Sequence, residues 1–238
     1  MEILRKNKSQ LSLHEAIGRI ERAFLRPIEP GQKEKLLLYF SLLHQWNKSI
    51  NLTGIKEQEH LVYKHLGDTL LFDKAIPSKV SNLLDIGTGA GIPGLLLKIL
   101  RPNLNVVLAE AVKKKCSFLR YAISVLDLPK IHIEEKRLEA NKPPEHMPAH
   151  GFDVIVSQAA GSLKWLFNLS FPILKQQGAI IALKGPAVAD ELSSVKEYAQ
   201  KLEFSIKAEK DRLPILDHTR MIIHIIKEEK HQPMEKNS

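Results

Sequence analysis

Cysteine is almost missing from the chain: Cys116 is the only one in 238 residues. A lone thiol excludes an internal disulfide and any thiolate-rich metal centre, and it fits a reducing compartment. Long apolar runs are missing too. No stretch approaches the roughly 20 residues a membrane helix requires, and the opening MEILRKNKSQ is basic with no apolar block of signal-peptide type behind it. The expectation is a soluble, cytoplasmic monomer that engages no membrane. Aromatic residues are sparse at 6%, and the two tryptophans, Trp46 and Trp165, fall in helical patterns where they read as core rather than as platforms for stacked bases. Acidic residues are outnumbered 27 to 35 by Lys and Arg, a formal net charge of +8. That excess attracts polyanions, because neutralised phosphates release condensed counterions. Many basic chains have no nucleic-acid partner, so charge alone leaves the partner open. There is no internal repeat.

What is present is enough for one large core or one core with a small appendage, since 44% of residues are apolar and 26% charged. From about Gln10 to Phe72 the pattern is helical. Leu36, Phe40, Leu43 and Ile50 recur near a 3.6 period, and EQEHLVYKHLGDTLLF resumes the theme after a break at Asn51-Leu52-Thr53. The period then shortens. NLLDI, NVVLAE, IHIEE, FDVIVS, GAIIALK, FSIKAE and MIIHIIK read as seven strands, with helical stretches at IPGLLLKIL, KKKCSFLRYAISVL, SLKWLFNLSFPIL and ADELSSVKEYAQKL. The first five strands form βα units of a parallel, doubly wound sheet. Only KDRLPILDHT parts the last two, so these form an antiparallel pair at the sheet edge. Pro143, Pro144 and Pro148 mark an irregular loop before the fourth strand. The division is a helical segment over 1–75, an α/β domain over 76–228 and a polar tail over 229–238.

LLDIGTGAGIPG, residues 83–94, follows the first strand and satisfies two cofactor patterns. Gly89-x-Gly91-x-x-Gly94 fits a dinucleotide loop, and Asp85-x-Gly87-x-Gly89 the start of an S-adenosylmethionine (SAM) loop. In both, glycines turn the backbone tightly between strand and helix and let a ligand approach closely. Pro93 suits the first turn of that helix. A dinucleotide places its pyrophosphate at the helix start, whereas SAM carries no phosphate. Asp85 is a poor neighbour for pyrophosphate and a good one for the cationic methionine moiety. Glu110, closing the second strand, suits the ribose hydroxyls of either ligand. The terminal antiparallel pair tips the balance towards the Rossmann-like fold of SAM-dependent methyltransferases, a seven-stranded, mostly parallel sheet with an antiparallel terminal strand. An NAD oxidoreductase, or a glycine turn that binds nothing, remains the alternative.

Four segments together carry a family resemblance. WNKSINLTGI is similar to a Trp-Asn-x-x-Ile-Asn-Leu-Thr segment, KHLGDTL to Lys-His-x-x-Asp-Ser-Leu, LLDIGTGAGIPGLLLKI to a cofactor loop with the unusual Pro-Gly, and IALKGP to the end of a fifth strand. In this order and spacing, over about Leu36 to Lys227, the chain resembles the bacterial 16S ribosomal RNA guanine-N7 methyltransferases, also called glucose-inhibited division protein B. The resemblance implies methyl transfer from SAM to N7 of a guanine, conventionally numbered 527, in 16S rRNA of the small ribosomal subunit. N7 bears an in-plane lone pair and no proton, so its attack on a sulfonium methyl requires alignment and no general base. The fourth strand is followed by SQAAGS in place of the Asn/Asp-Pro-Pro-aromatic turn of amino-group methyltransferases. Cys116 lies within a helix, which disfavours a C5-pyrimidine mechanism.

Carried over by position, the resemblance implies that Gly87 and Ile92 contact the cofactor, that Gly89 and Gly91 shape the turn, that Glu110 holds the ribose, and that Leu138 and Glu139 meet the adenine. The alternative for Ile92 and Leu138 is an ordinary core position, and for Glu139 a solvated loop acid. The family has Ser-Arg-Ala after strand four, with the arginine beside cofactor and substrate, where this chain has Ser157-Gln158-Ala159, so the resemblance puts Gln158 among the cofactor-binding candidates. Glutamine supplies no charge to grip a carboxylate or phosphate; Lys164 or Lys184 is a candidate to replace it. The change raises two alternatives, a SAM-binding relative with another RNA or small-molecule acceptor and a non-catalytic RNA-binding or assembly protein. His146 and His150 are spaced i, i+4 but lie in the Pro-rich loop, so no metal is expected. His65 and Asp68 are candidates for RNA contact or for helix packing, and Lys113-Lys114-Lys115 reads as a solvated face before it reads as an RNA contact.

Overall fold

The computed structural model describes residues 2–228 except 141 and 159, with side chains from Leu13 onward; the proposed tail lies outside the described residues. Four N-terminal helices, α1 (Glu2–Phe24), α2 (Pro30–Ile50), α3 (Gln58–Leu61) and α4 (Gly67–Ala75), precede the sheet. α3 and α4 are one rod joined through a π-helical turn over Val62–Leu66. The expected break falls at Asn51, whose left-handed backbone (φ 49°) caps α2. α1 begins at Glu2, earlier than the apolar pattern alone indicated.

The α/β part runs β1 (Asn82–Ile86), α5 (Gly94–Leu100), β2 (Asn105–Ala109), α6 (Lys113–Val125), β3 (Ile131–Glu134), β4 (Phe152–Gln158), α7 (Leu163–Ser170), β5 (Leu174–Lys184), α8 (Ala189–Lys201), β6 (Phe204–Leu213) and β7 (His218–Lys227). The strands form one seven-stranded sheet in the order β3-β2-β1-β4-β5-β7-β6. β1 to β5 are mutually parallel, while β7 pairs antiparallel with both β5 and β6. Strand order reverses between β1 and β4, and the crevice at the carboxyl ends of such strands is where open α/β sheets bind ligands.

The strands read as continuous apolar runs because both faces are covered. Leu83, Val106, Val154, Val156 and Ile181 belong to the core beneath the N-terminal helices, α5 and α6. Their neighbours Leu84, Val107, Ile155, Ile180 and Ala182 belong to the second core beneath α7 and α8. The N-terminal helices are bound directly to the cofactor-loop side of the sheet: Tyr39 donates to the Ala90 carbonyl at 2.8 Å and Gln32 to the Leu100 carbonyl at 3.0 Å.

Three boundaries differ from the sequence reading. β5 starts at Leu174, ahead of the GAIIALK run, past a left-handed Gln177 (φ 63°). β6 and β7 extend into KDRLPILDHT until only Pro214–Asp217 remains as a turn, closed by the Asp217 amide on the Leu213 carbonyl at 2.8 Å. Pro93 stands at the cap of α5, one residue before its first turn.

Candidate functional site

The glycine loop is built by geometry that only glycine adopts easily. Gly87, Gly89 and Gly91 have φ of 73°, 60° and 90°. A Cβ on Gly87 would lie 2.8 Å from Ala160 Cβ, and one on Gly91 would lie 2.8 Å from Leu95 Cβ, so both are needed for close packing. A Cβ on Gly89 would meet nothing nearer than the Gly87 carbonyl at 4.0 Å. The loop is therefore packed on one side and open at Gly89.

Two carboxylates fix its shape. Asp85 is fully buried; its Oδ2 accepts from Thr88 Oγ1 at 2.6 Å and from the Gly94 amide at 2.8 Å. Glu110 accepts the Gly89 amide at 3.0 Å on Oε2 and the Val112 amide at 2.8 Å on Oε1. Each Glu110 oxygen keeps a further lone pair for a ribose hydroxyl. The sequence sets the Asp85 carboxylate against the cationic part of the ligand; in the fold its Oδ2 turns into the start of α5. Only its unpartnered oxygen Oδ1 is left for a cation. Burial pushes the Asp85 carboxyl up to about 7, and nearby Glu110 adds to the rise against the two hydrogen bonds.

This arrangement separates the two cofactor patterns. In a dinucleotide fold the amide at the helix start faces pyrophosphate. Here the Gly94 amide is already taken by a carboxylate, and a second anion there would be repelled. The loop fits SAM instead: three left-handed glycines open at Gly89, an unpartnered buried Asp85 oxygen suits a cation, and Glu110 stands at the end of β2.

Beyond the loop, Ile92 is buried in the core and its amide bonds to the Thr88 carbonyl at 2.9 Å. Leu138 packs against the second core. Glu139 is 61% exposed and pairs with Lys142, so its side chain faces solvent in this conformation. Lys115 lies 3.9 Å from Glu110, whereas Lys113 and Lys114 are exposed. Cys116 is enclosed in α6, where it donates to the Glu110 carbonyl and burial pushes its thiol up.

At the end of β4, Ser157 Oγ donates to the Ile86 carbonyl at 3.0 Å, tying the switch-point strands together. Gln158 Nε2 donates to Asp68 Oδ2 at 2.6 Å. Asp68, on α4, also receives Arg220 (Nε to Oδ1 2.7 Å, Nη2 to Oδ2 3.3 Å) and Lys64 (3.3 Å). Neither suggested replacement for the missing arginine reaches Gln158. Lys184 is engaged by the Gly161 carbonyl at 2.6 Å and Glu191 at 3.0 Å, and Lys164 lies over the Tyr198 ring at 5.9 Å. Arg220 was missed from the sequence. The available signal was a cation at the beginning of an antiparallel strand, which puts it at the carboxyl edge of its parallel neighbours.

His65 and Asp68 are packing residues rather than exposed contacts. His65 is buried with Nε2 3.2 Å from Thr53 Oγ1 and Nδ1 unpartnered, and burial takes its imidazole down to about 4. His146 stacks on His132 at 4.2 Å between centroids, and no cluster of metal-ligating groups occurs among the described residues. Trp46 packs on Phe118 and Tyr121, and Trp165 on the second core. A groove of about 740 Å³ that the sequence did not announce lies beside the end of α2. It is lined by His44, Asn47, Lys48, Asn51, Thr53 and Lys56, mostly from WNKSINLTGI. No described helix is long and apolar enough to cross a membrane.

Comparison with known proteins agrees with this geometry. The O-methyltransferase of Bacillus cereus, solved with S-adenosylhomocysteine, superposes with a TM-score of 0.56 at 18% identity, over 84% of this chain and 92% of that one. A methyltransferase of Pyrococcus furiosus gives 0.54 at 18% identity, over 80% and 97%. At these identities the likeness shows a shared fold. Sequence relatives are nearer: the ribosomal RNA small subunit methyltransferase G of Roseiflexus sp. (strain RS-1) is 37% identical over 182 residues, 76% of this chain and 77% of its own. That of Clostridium botulinum (strain Loch Maree / Type A3) is 36% identical over 199 residues, 82% of each chain. The model of the rRNA small subunit methyltransferase G family matches residues 32–215, and the chain belongs to that family of SAM-dependent methyltransferases.

Proposed function

We propose that this protein methylates N7 of guanine 527 in 16S rRNA, with the RNA or the assembled small subunit as its partner, and that it works as a cytoplasmic monomer. One observation carries the choice of acceptor atom: Asp68, His65 and Cys116, the acid–base and nucleophilic candidates outside the cofactor loop, are engaged or buried. Asp68 is held by Arg220, Lys64 and Gln158; His65 is buried with its imidazole at about 4; Cys116 is enclosed. None of these three offers a free base to an acceptor that must lose a proton before attack. Guanine N7 brings its own lone pair and requires only alignment.

SAM supplies the methyl group on a sulfonium sulfur. The chain's residues hold and orient the reactants. Gly87, Gly89 and Gly91 shape the cradle, Ile92 backs it, Glu110 offers lone pairs to the ribose, Asp85 Oδ1 is the oxygen for the cationic end, and Leu138 and Glu139 lie on the adenine side. The net charge of +8 and the Lys48 and Lys56 groove favour an RNA partner. Gln158 stands where the family carries arginine, and it binds Asp68 rather than being left idle.

The test is incubation with labelled SAM and separate pools of 16S RNA, small subunits, 23S RNA and tRNA. Label confined to 16S RNA or small subunits is expected. Label in another RNA or in a small molecule would assign a different acceptor, and cofactor binding with no transfer to any pool would favour the assembly protein.

A further inference from the structure

Asp68 and Arg220, 152 positions apart, form a buried ion pair beside the cofactor loop. β7 runs antiparallel to β5, and Met221 pairs with Lys184, the last residue of β5. Arg220 therefore lies at the carboxyl edge, where β4 ends in Gln158. β4 pairs Val156 with Asp85, so Gln158 stands level with Gly87. Asp68 has no exposed surface and Arg220 is 15% exposed. A buried carboxylate without a partner would be strongly destabilising, and the arginine meets it with two donors. Arg220 Nε holds Oδ1 at 2.7 Å, while Oδ2 meets Arg220 Nη2 and Lys64 Nζ at 3.3 Å each and accepts the neutral Gln158 amide more closely, at 2.6 Å. The hydrogen bond from Nε2 in turn ties the Gln158 side chain, and so the end of β4, to Asp68 on α4.

We propose that Arg220 is a positioning residue for methyl transfer: through Asp68 it locks Gln158, and with it the end of β4, into the form that receives the acceptor base. The proposal rests on the methyltransferase reading, with the acceptor entering at this edge. Gln158 is one of the residues it positions, and the rest of the machinery, from Gly87 to Glu110, is left untouched.

The experiment compares the native protein with Arg220→Gln, Gln158→Arg and the double variant. It measures the SAM dissociation constant, melting temperature, kcat and KM on the RNA acceptor, and the side-chain amide resonance of Gln158. Arg220→Gln should lower kcat at least tenfold with SAM affinity held within threefold, and the Gln158 amide should lose its exchange protection. The double variant, with the guanidinium moved to β4, should recover most of kcat. A folded Arg220→Gln protein with native kcat and a native amide signal would overturn the proposal, and so would a double variant that regains melting temperature without kcat. If the native protein methylates no RNA, the functional reading fails by itself, and the amide signal still decides whether Arg220 holds Gln158.

Discussion

Asp85 Oδ2 lies 2.8 Å from the Gly94 amide, so the first N–H of α5 is answered from within the protein rather than by a ligand anion. Asp85 is also buried, which raises its carboxyl to about 7 from an ordinary value of 3.8. A folded-state value above the unfolded one means the folded chain holds the proton more tightly. The group's contribution to stability is then complete below about pH 4 and is lost as pH rises through 7. Asp85→Asn retains an acceptor for Thr88 and Gly94 and does not titrate. Denaturant unfolding of the ligand-free proteins should show the native chain losing on the order of 2–3 kcal/mol relative to Asp85→Asn between pH 5 and 7. Parallel pH profiles would contradict the assignment.

Gly89 and Gly91 both have left-handed backbones but differ in what lies ahead of the α-hydrogen. Gly89→Ala adds a methyl into open space, at a cost of about 1–2 kcal/mol for the backbone, and should weaken SAM binding more than tenfold in calorimetry. Gly91→Ala drives a methyl to 2.8 Å from Leu95 Cβ. It should lose more stability than Gly89→Ala, by about 1–3 kcal/mol for the overpacking. Equal melting temperatures for the two variants would be inconsistent with this loop.

Cys116 tests the absence of a thiol nucleophile. Its side chain is buried against the Glu110 carbonyl and its thiol is pushed up by burial. Cys116→Ala should keep methyl transfer within about twofold, at a stability cost near 1 kcal/mol from the small void. A hundredfold loss of rate in a stably folded variant would reopen the mechanism.

Asp68→Ala should destabilise the fold by about 3–5 kcal/mol, because it strands Arg220, a largely buried cation. Asp68→Asn, which keeps an acceptor for one donor, should lose less. Chemical denaturation measures both, and an Asp68→Ala protein of native stability would show that the pair contributes nothing.

The sheet was readable because its physical signals are local. Strands covered on both faces, such as β1 and β4, must be apolar throughout, and the glycine loop announces itself by residues that alone take its backbone. The tight turn at Pro214–Asp217 was less visible, because β6 and β7 run into it through polar residues such as Lys210, Asp211 and Thr219. The direction of Asp85 depends on a hydrogen bond nine residues away, and the residue series gives its side of the strand without its partner. Arg220 was hidden for a stronger reason: its role exists only when α4, β4 and β7 meet, and no spacing within the chain encodes that meeting. Lys184 and Lys164 were nearer in sequence to Gln158, yet the fold gives them other partners.

The most direct test maps the methylated atom. Small subunits lacking the modification are incubated with the protein and labelled SAM, and the 16S RNA is then cleaved at N7-methylguanine. A single new cleavage at guanine 527, dependent on the protein, is the predicted result. Label that yields no N7-specific cleavage, or cleavage at another guanine, would contradict the central claim that this cleft aligns a base that attacks with its own lone pair.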